Sequence, residues 1–428
     1  MSAITHYSTS TSGIGGVLRK RIADFIVEEI ASEDEICEVG VFTDSEKKTL
    51  DKKWPAPLVD ERVRENQLIL KMEKFNVDTA NALRRIARAL HTSRKRIGFA
   101  GMKDKRAITC QRISVWKADV ELLKAFDSRY IDLREAQWAD KRIEIGDLIG
   151  NKFTIIVRNI QLGKEELEKR INASFGEMKN GIANYFGEQR FGGIRGITHL
   201  VGKEFILGNV ENAVMLYLTA IDEREEEDIK IARKNLADTK DFSRAINEFP
   251  PKYRYERIII HHLCKYPKDF VGAFSRLPKS LTYMFTHAYQ SHLFNQIINK
   301  RIETGLGLNA NGGDVLENGV ATAQLFGFES KFSEGKIGEI EREVLAKEGI
   351  KPEDFYIKEF PQISSKGARK AILLFSEDLK LEEISNDEYF EGALKAKISF
   401  RLDKGNYATT VLRELMKPEQ LKDVQENR

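Results

Sequence analysis

Much of what would identify a chain at first sight is missing from this one. No run of about eighteen apolar residues occurs, which excludes a helical membrane span. The opening stretch, MSAITHYSTSTSGIGG, has no apolar core behind a basic start and does not read as a secretory signal. Only three cysteines are present, Cys37, Cys110 and Cys264, odd in number and far apart. They make no disulfide framework, and the expected compartment is the reducing cytoplasm. Seven histidines are scattered, and the one cluster, His261, His262 and Cys264, puts two histidines side by side. Adjacent side chains do not share one face of a helix or strand, so no metal site is expected. Neither a Rossmann nor a Walker fingerprint occurs, so no nucleotide cofactor is expected either. Nothing in the chain calls for an obligate protein partner. An overall charge excess is also absent: charged residues are 32% and the formal net charge is +3. A polyanionic partner would have to be recognised by local clustering.

Such clustering is there. From Arg84 to Arg106 nine residues are basic (Arg84, Arg85, Arg88, Arg94, Lys95, Arg96, Lys103, Lys105 and Arg106) and one, Asp104, is acidic. A patch of this kind is the footprint of a phosphate backbone, or else a solvated helix face followed by a lysine-rich turn. The stretch GFAGMKDKRAITCQ, Gly98–Gln111, therefore places one carboxylate in a strongly basic turn. Its glycine spacing, with Asp after Lys, does not fit a phosphate-binding loop.

With 428 residues the chain has room for two to three domains. NQLILKMEKF (66–75) reads as a strand. Asp78 or Thr79 caps a helix whose apolar face is Leu83, Ile86, Ala87 and Leu90, with Arg84, Arg85 and Arg88 off that face. Strands are expected at Ile97–Ala100 and Ala107–Trp116, so Asp104 falls in the loop between them. Arg142–Ile160 reads as two strands about a turn at Asp147–Asn151. GKEELEKRINASFGEMKNG is an amphipathic helix, and the glycines of NYFGEQRFGG (184–193) break any helix there. The acidic run Asp222–Asp228 reads as a solvated face. Composition shifts suggest a separate domain at about 197–365. LKAKISFRL then reads as a strand, and KGNYATTVLRELMK as a turn into a helix.

GFAGMKDKRAITCQ, NYFGEQRFGG and GNYATTVLREL occur in this order in the TruD family of tRNA pseudouridine synthases, which the chain resembles over nearly its whole length. ADFIVEEI, GDLIGNKFTIIVR and AYQSHLFNQII are weaker matches. Residues 31–62 and the long middle segment match least, and the length of that segment is similar to the archaeal branch. The resemblance implies an α+β fold: a pseudouridine synthase core with a mostly antiparallel central sheet, plus an inserted family-specific α/β domain. The core would be 1–196 and 366–428, the insertion 197–365. It further implies isomerisation of uridine to pseudouridine in tRNA, typically at position 13 of the D arm, with no cofactor and with tRNA as the partner.

The resemblance also implies roles. Asp104 is the Asp of the family's catalytic motif, kept ionised by basic neighbours, and it attacks a carbon or removes the C2′ proton. A uridine inside folded tRNA must leave its stack to be reached, and Phe186 is the matching aromatic platform. Asn184 orders that loop or bonds near the carboxylate, while Tyr185 and Phe191 pack. Arg19 matches the basic residue beside the catalytic Asp. Phe25 and Tyr407 match aromatic positions near the pocket. Arg84, Arg88, Arg96, Lys103 and Lys105 are expected on the RNA, and Arg190 either holds a phosphate there or caps the loop. The helix of AYQSHLFNQ, with Ala288, Leu293, Phe294 and Ile297 apolar, is expected in the core of the insertion. Two rivals are weaker. A non-catalytic tRNA-binding protein on the same scaffold is disfavoured by the presence of Asp104. A glycosidase needs two carboxylates about the bond, and no second acid stands out.

Overall fold

Alternation and helical periodicity place the helix after Asp78 and the strands either side of Asp104 where the computed structural model has them. The structure describes residues 4–43, 47–48, 53–56 and 66–417. They form two compact units, one of residues 9–182 and 375–417, the other of residues 4–8 and 183–374.

The first unit is built on a nine-stranded sheet. Its path runs Glu377–Asn386, Leu394–Asp403, Gly150–Ile160, Phe25–Ser32, Ile108–Trp116, Gln67–Phe75, Ile131–Ala139. Glu35–Ile36 adds to Phe25–Ser32, and Ile97–Phe99 to Ile108–Trp116. Every pairing is antiparallel except that of Phe25–Ser32 with Ile108–Trp116. The helix Thr79–Ala89 starts at Asp78, whose side chain accepts the Asn81 N–H. Its stripe of Leu83, Ile86 and Ala87, with Leu90 at the cap, packs on Leu68, Leu70, Ile113 and Val115 of the sheet. Arg84, Arg85 and Arg88 stay exposed.

One expected strand does not form. Residues 142–149 are a loop: the Ile143 N–H goes to Ser114 Oγ, the Glu144 N–H to Asp147 Oδ2, and Gly146 turns at φ +97°. These side-chain bonds satisfy the backbone without a neighbouring strand. The strand that closes this edge is Ile131–Ala139 instead. Glu135 sits there at φ +52°, where the register against Gln67–Phe75 shifts. A bulge of this kind breaks the two-residue period by which a strand is recognised.

The second unit is mainly helical, with a small antiparallel sheet of Leu316–Glu317, Val320–Leu325 and Ala368–Ala371. The 25-residue helix Lys279–Glu303 runs through its core, with Ala288, Leu293, Phe294 and Ile297 fully buried. The helix Thr198–Ile206 comes so close that a Cβ on Gly202 would lie 2.1 Å from the Phe285 carbonyl oxygen. The acidic run is solvated apart from Glu225, which turns inward to Arg233 at 3.2 Å. Cys37, Cys110 and Cys264 are free thiols, and burial pushes Cys37 up to about 12. Among the described residues no helix is long and apolar enough to cross a membrane.

Candidate active site

The loop between Ile97–Phe99 and Ile108–Trp116 is tied down by its backbone. Gln111 Nε2 donates to the Gly101 carbonyl at 3.0 Å, and the Lys103 N–H donates to Thr79 Oγ1 at 3.1 Å. Lys74 Nζ donates to the Asp104 carbonyl at 2.6 Å, and Arg106 donates to the Arg19 carbonyl at 2.8 Å. Of the two glycines in GFAG only Gly98 is sterically required: a Cβ there would lie 2.3 Å from the Ile143 carbonyl oxygen, whereas Gly101 has open space.

Asp104 is presented from this frame with its side chain 32% exposed. Arg19 Nη2 bonds its Oδ1 at 2.8 Å. Among the described residues Oδ2 has no hydrogen-bond partner. Arg19 sits at φ +57°, its guanidinium 3.9 Å above the Phe25 ring. Phe25 is buried edge-on against Phe153, so it supports Arg19 from below. The adjacent Asp24 is held by Arg158, which also reaches Asp387. This buried network fixes where Phe25 and Arg19 stand.

The basic residues divide. Arg84, Arg88, Arg96 and Lys105 are exposed, with Arg96 lying over the Trp116 ring. Lys103 departs from expectation. Its ammonium turns inward to Glu29 Oε2 at 3.0 Å and Asn151 Oδ1 at 2.7 Å, with both charged side chains buried. A buried carboxylate claims the charge, so Lys103 is not available to a phosphate. Lys74 was not anticipated as part of the site. Burial draws its ammonium down to about 8, against the opposing charges of Asp104 and Asp78 and with that of Lys103. The sequence did carry a signal: Leu68, Leu70 and Met72 alternate along one apolar face, and Lys74 continues it.

The segment 184–193 belongs to the second unit. The Asn184 amide donates to the Ala371 carbonyl and its backbone N–H to Ile372. Phe186 is 6% exposed, edge-on to Phe294 at 5.4 Å. Its backbone is clamped by one side chain: Asn295 Oδ1 accepts the Phe186 N–H and Asn295 Nδ2 donates to the Phe186 carbonyl, each at 2.9 Å. The Tyr185 hydroxyl donates to Asn299 Oδ1, and Arg190 Nε to Ser291 Oγ. Ser291, Asn295 and Asn299 are four apart and make one stripe of the helix Lys279–Glu303. The helix expected only to pack thus also holds the NYFGEQR segment, and the polar spacing was the signal for it. Phe191 is buried. Tyr407, in the first unit, is 43% exposed just ahead of the helix Ala408–Met416. Among the described residues no group of three or more His, Cys, Asp or Glu side chains could hold a metal ion.

A family model described as tRNA pseudouridine synthase D (TruD) matches residues 2–320 and 316–415. A protein of Methanococcoides burtonii named "Probable tRNA pseudouridine synthase D" is 38% identical over 450 residues, spanning 97% of this chain and 96% of its own. One of Methanocaldococcus jannaschii, "Probable tRNA pseudouridine synthase D 1", is 39% identical over 402 residues, spanning 94% and 95%. A crystal structure from Methanosarcina mazei, of a protein named "Putative tRNA pseudouridine synthase D (TruD)", matches with a TM-score of 0.78 at 37% identity, covering 98% of both chains.

Proposed function

Because the chain belongs to the TruD family of tRNA pseudouridine synthases, we propose that it acts on the uridine at position 13 of the tRNA D arm and that Asp104 is the group that acts on the nucleoside. The chain is an isomerase that converts uridine to pseudouridine in tRNA. The base is detached at N1, turned, and rejoined to C1′ through C5. A proton leaves C5 and N1 takes one up, so nothing is oxidised and no group enters or leaves.

The observation that carries the reading is the Arg19–Asp104 pair on a loop anchored through its backbone. Asp104 attacks a carbon of the nucleoside or takes the C2′ proton. Either route needs an ionised oxygen facing the substrate. Oδ2 serves this, while Oδ1 stays with Arg19 and is kept in place. Tyr407 is a further aromatic contact for the substrate, and Asn184 orders the chain ahead of Phe186. In this reading the helical unit, residues 183–374, is the family's inserted domain. Mapping pseudouridine on tRNA from cells with and without the protein tests the target: a modified position elsewhere than 13 overturns the D-arm assignment.

Arg84, Arg88, Arg96 and Lys105 face the phosphates. Replacing Arg84, Arg88 and Arg96 together by Gln should weaken binding to many RNAs alike. The slope of log affinity against log salt should become shallower by roughly 0.7–0.9 for each phosphate that is no longer neutralised. An unchanged slope would show that this face is merely solvated.

Phe186 supplies the aromatic face for the extruded uridine. Truncation to Ala would open a cavity against Phe294, so Phe186→Leu is the better test, since it fills the space without a ring. A base–aromatic stack is worth about 1–3 kcal/mol, so turnover should fall about tenfold with little change in the thermal melt. A Leu variant that melts early yet keeps full activity per folded molecule would make Phe186 a packing residue only.

A further inference from the structure

The strand Ala368–Ala371 carries two successive cations, and alternation sends them to opposite faces. Arg369 is compensated: Nε donates to Thr322 Oγ1 at 2.7 Å, and Nη2 lies 3.6 Å from Glu341 Oε1. Lys370 is not. Its Nζ lies 5.4 Å from the centroid of the Phe186 ring and 5.8 Å from that of Phe294. Among the described residues no carboxylate comes within 4.0 Å of it. Arg190 approaches the same ring, its guanidinium carbon 5.6 Å from the centroid, and its bond is to a neutral hydroxyl, that of Ser291. It too has no carboxylate within 4.0 Å among the described residues.

This differs from three other covered cations of the unit. Arg233 faces Glu225 at 3.2 Å, Arg301 faces Asp314 at 2.7 Å, and Lys203 faces Glu348 at 2.8 Å. Covered charges are ordinarily paired, because an aromatic face offsets only a small part of the hydration an ammonium loses. Burial alone draws Lys370 down to about 8. His287 is also pushed down, first by burial and then by the charge of Arg190. Two uncompensated cations at one ring are the electrostatic half of an anion site.

We infer that Lys370 and Arg190, both lying over the Phe186 ring, together take one backbone phosphate of the tRNA. The substrate is a polyanion, and its phosphodiester is the anion that arrives with the uridine. The inference rests on the reading of Phe186 as the base contact. It adds Lys370, which no motif had marked, to the residues that meet the RNA. The phosphate takes the ammonium's charge as a direct partner, which the rings cannot do.

The test is Lys370→Met and Lys370→Arg, assayed with a tRNA transcript by filter binding across a salt series, by tritium release from 5-tritiated uridine, and by thermal melting. Lys370→Met should bind roughly tenfold more weakly, with a log–log salt slope shallower by about 0.7–0.9. Lys370→Arg should restore both. The Met variant should melt no earlier than wild type, since an uncompensated charge has been removed. An unchanged slope, an Arg variant that binds no better than Met, or a Met variant that melts early overturns the inference. Phe186→Leu, assayed alongside, separates the two readings. If it keeps full turnover per folded molecule, the base contact fails. If it loses turnover and the salt slope survives Lys370→Met, only the phosphate site fails.

Discussion

Asp104→Asn is expected to lower turnover by about four orders of magnitude or more, the scale on which deleting a nucleophile acts in other enzymes. The substitution keeps the side chain's size and the Arg19 hydrogen bond, because an amide oxygen still accepts from a guanidinium. It removes the charge, and an amide is a poor nucleophile and a poor base. Stability should move little. The pair is partly exposed, and ion pairs at such positions are worth about 0–1 kcal/mol. The loop's own anchors, at Thr79, Gln111 and Lys74, do not involve the carboxylate. Affinity for tRNA should hold or rise slightly, since one charge repelling phosphate is gone. Tritium release, filter binding and a thermal melt read all three. A variant that still forms pseudouridine near the wild-type rate removes Asp104 from the chemistry. One that loses activity only by unfolding makes it a structural turn residue.

Lys74→Met should lower kcat by about 10²-fold with a much smaller change in KM. Methionine fills the slot of the lysine stem but donates nothing, so the Asp104 carbonyl loses its 2.6 Å partner. The carboxylate is carried on that same residue, and a misplacement of about 1 Å at a reacting group costs roughly 10²-fold. The pH dependence separates this from general damage. Lys74 titrates at about 8, and the charges acting on it are Asp104, Asp78 and Lys103. Wild-type kcat should decline as pH rises through that value and the ammonium neutralises. The Met variant should lack this limb. Stability has the opposite sense. The folded pKa lies below the ordinary 10.5, so between about 8 and 10.5 the unfolded chain still holds a proton that the folded chain has released. Stability from this group therefore rises with pH across that window, and the cost of burying the charge is fully present below pH 8. Melts on either side of pH 8 should move in favour of wild type relative to the Met variant as pH rises. An unchanged kcat in the Met variant would mean that the loop holds its geometry without Lys74.

Elements with clean periods were legible in the sequence. The Thr79–Ala89 helix could be read down to its cap and buried stripe, and so could the strands either side of Asp104. Two strands resisted for opposite reasons. Ile131–Ala139 is interrupted by its bulge at Glu135. Glu377–Asn386 is an edge strand with both faces largely in water, so charge replaces alternation, as edge strands generally require. At the site, the family resemblance pointed to Asp104 and to Arg19 beside it, and local charge to the basic cluster. It misjudged Lys103, because spacing within a loop does not say which way a side chain turns, and the Glu29 that claims it comes from another strand. Asn295 and Lys370 were out of reach for a related reason. Each matters through what it meets 109 or more residues away, Phe186 in both cases.

The strand Gly150–Ile160 is hydrogen-bonded on both sides, to Phe25–Ser32 and to Leu394–Asp403. During translation these neighbours arrive at very different times. The first leaves the ribosome before the strand itself, while the second follows only after the whole of residues 183–374. At about 5–20 residues per second, that delay is on the order of 10–50 s, against the microseconds in which strands can pair. Throughout it the nascent chain carries an open sheet edge in the unit that bears Asp104, a ready template for a neighbouring chain on the same polysome. A message cut short before Leu394 would therefore yield a protein that keeps Arg19, Asp104 and Phe186, loses Tyr407, and leaves that edge permanently bare.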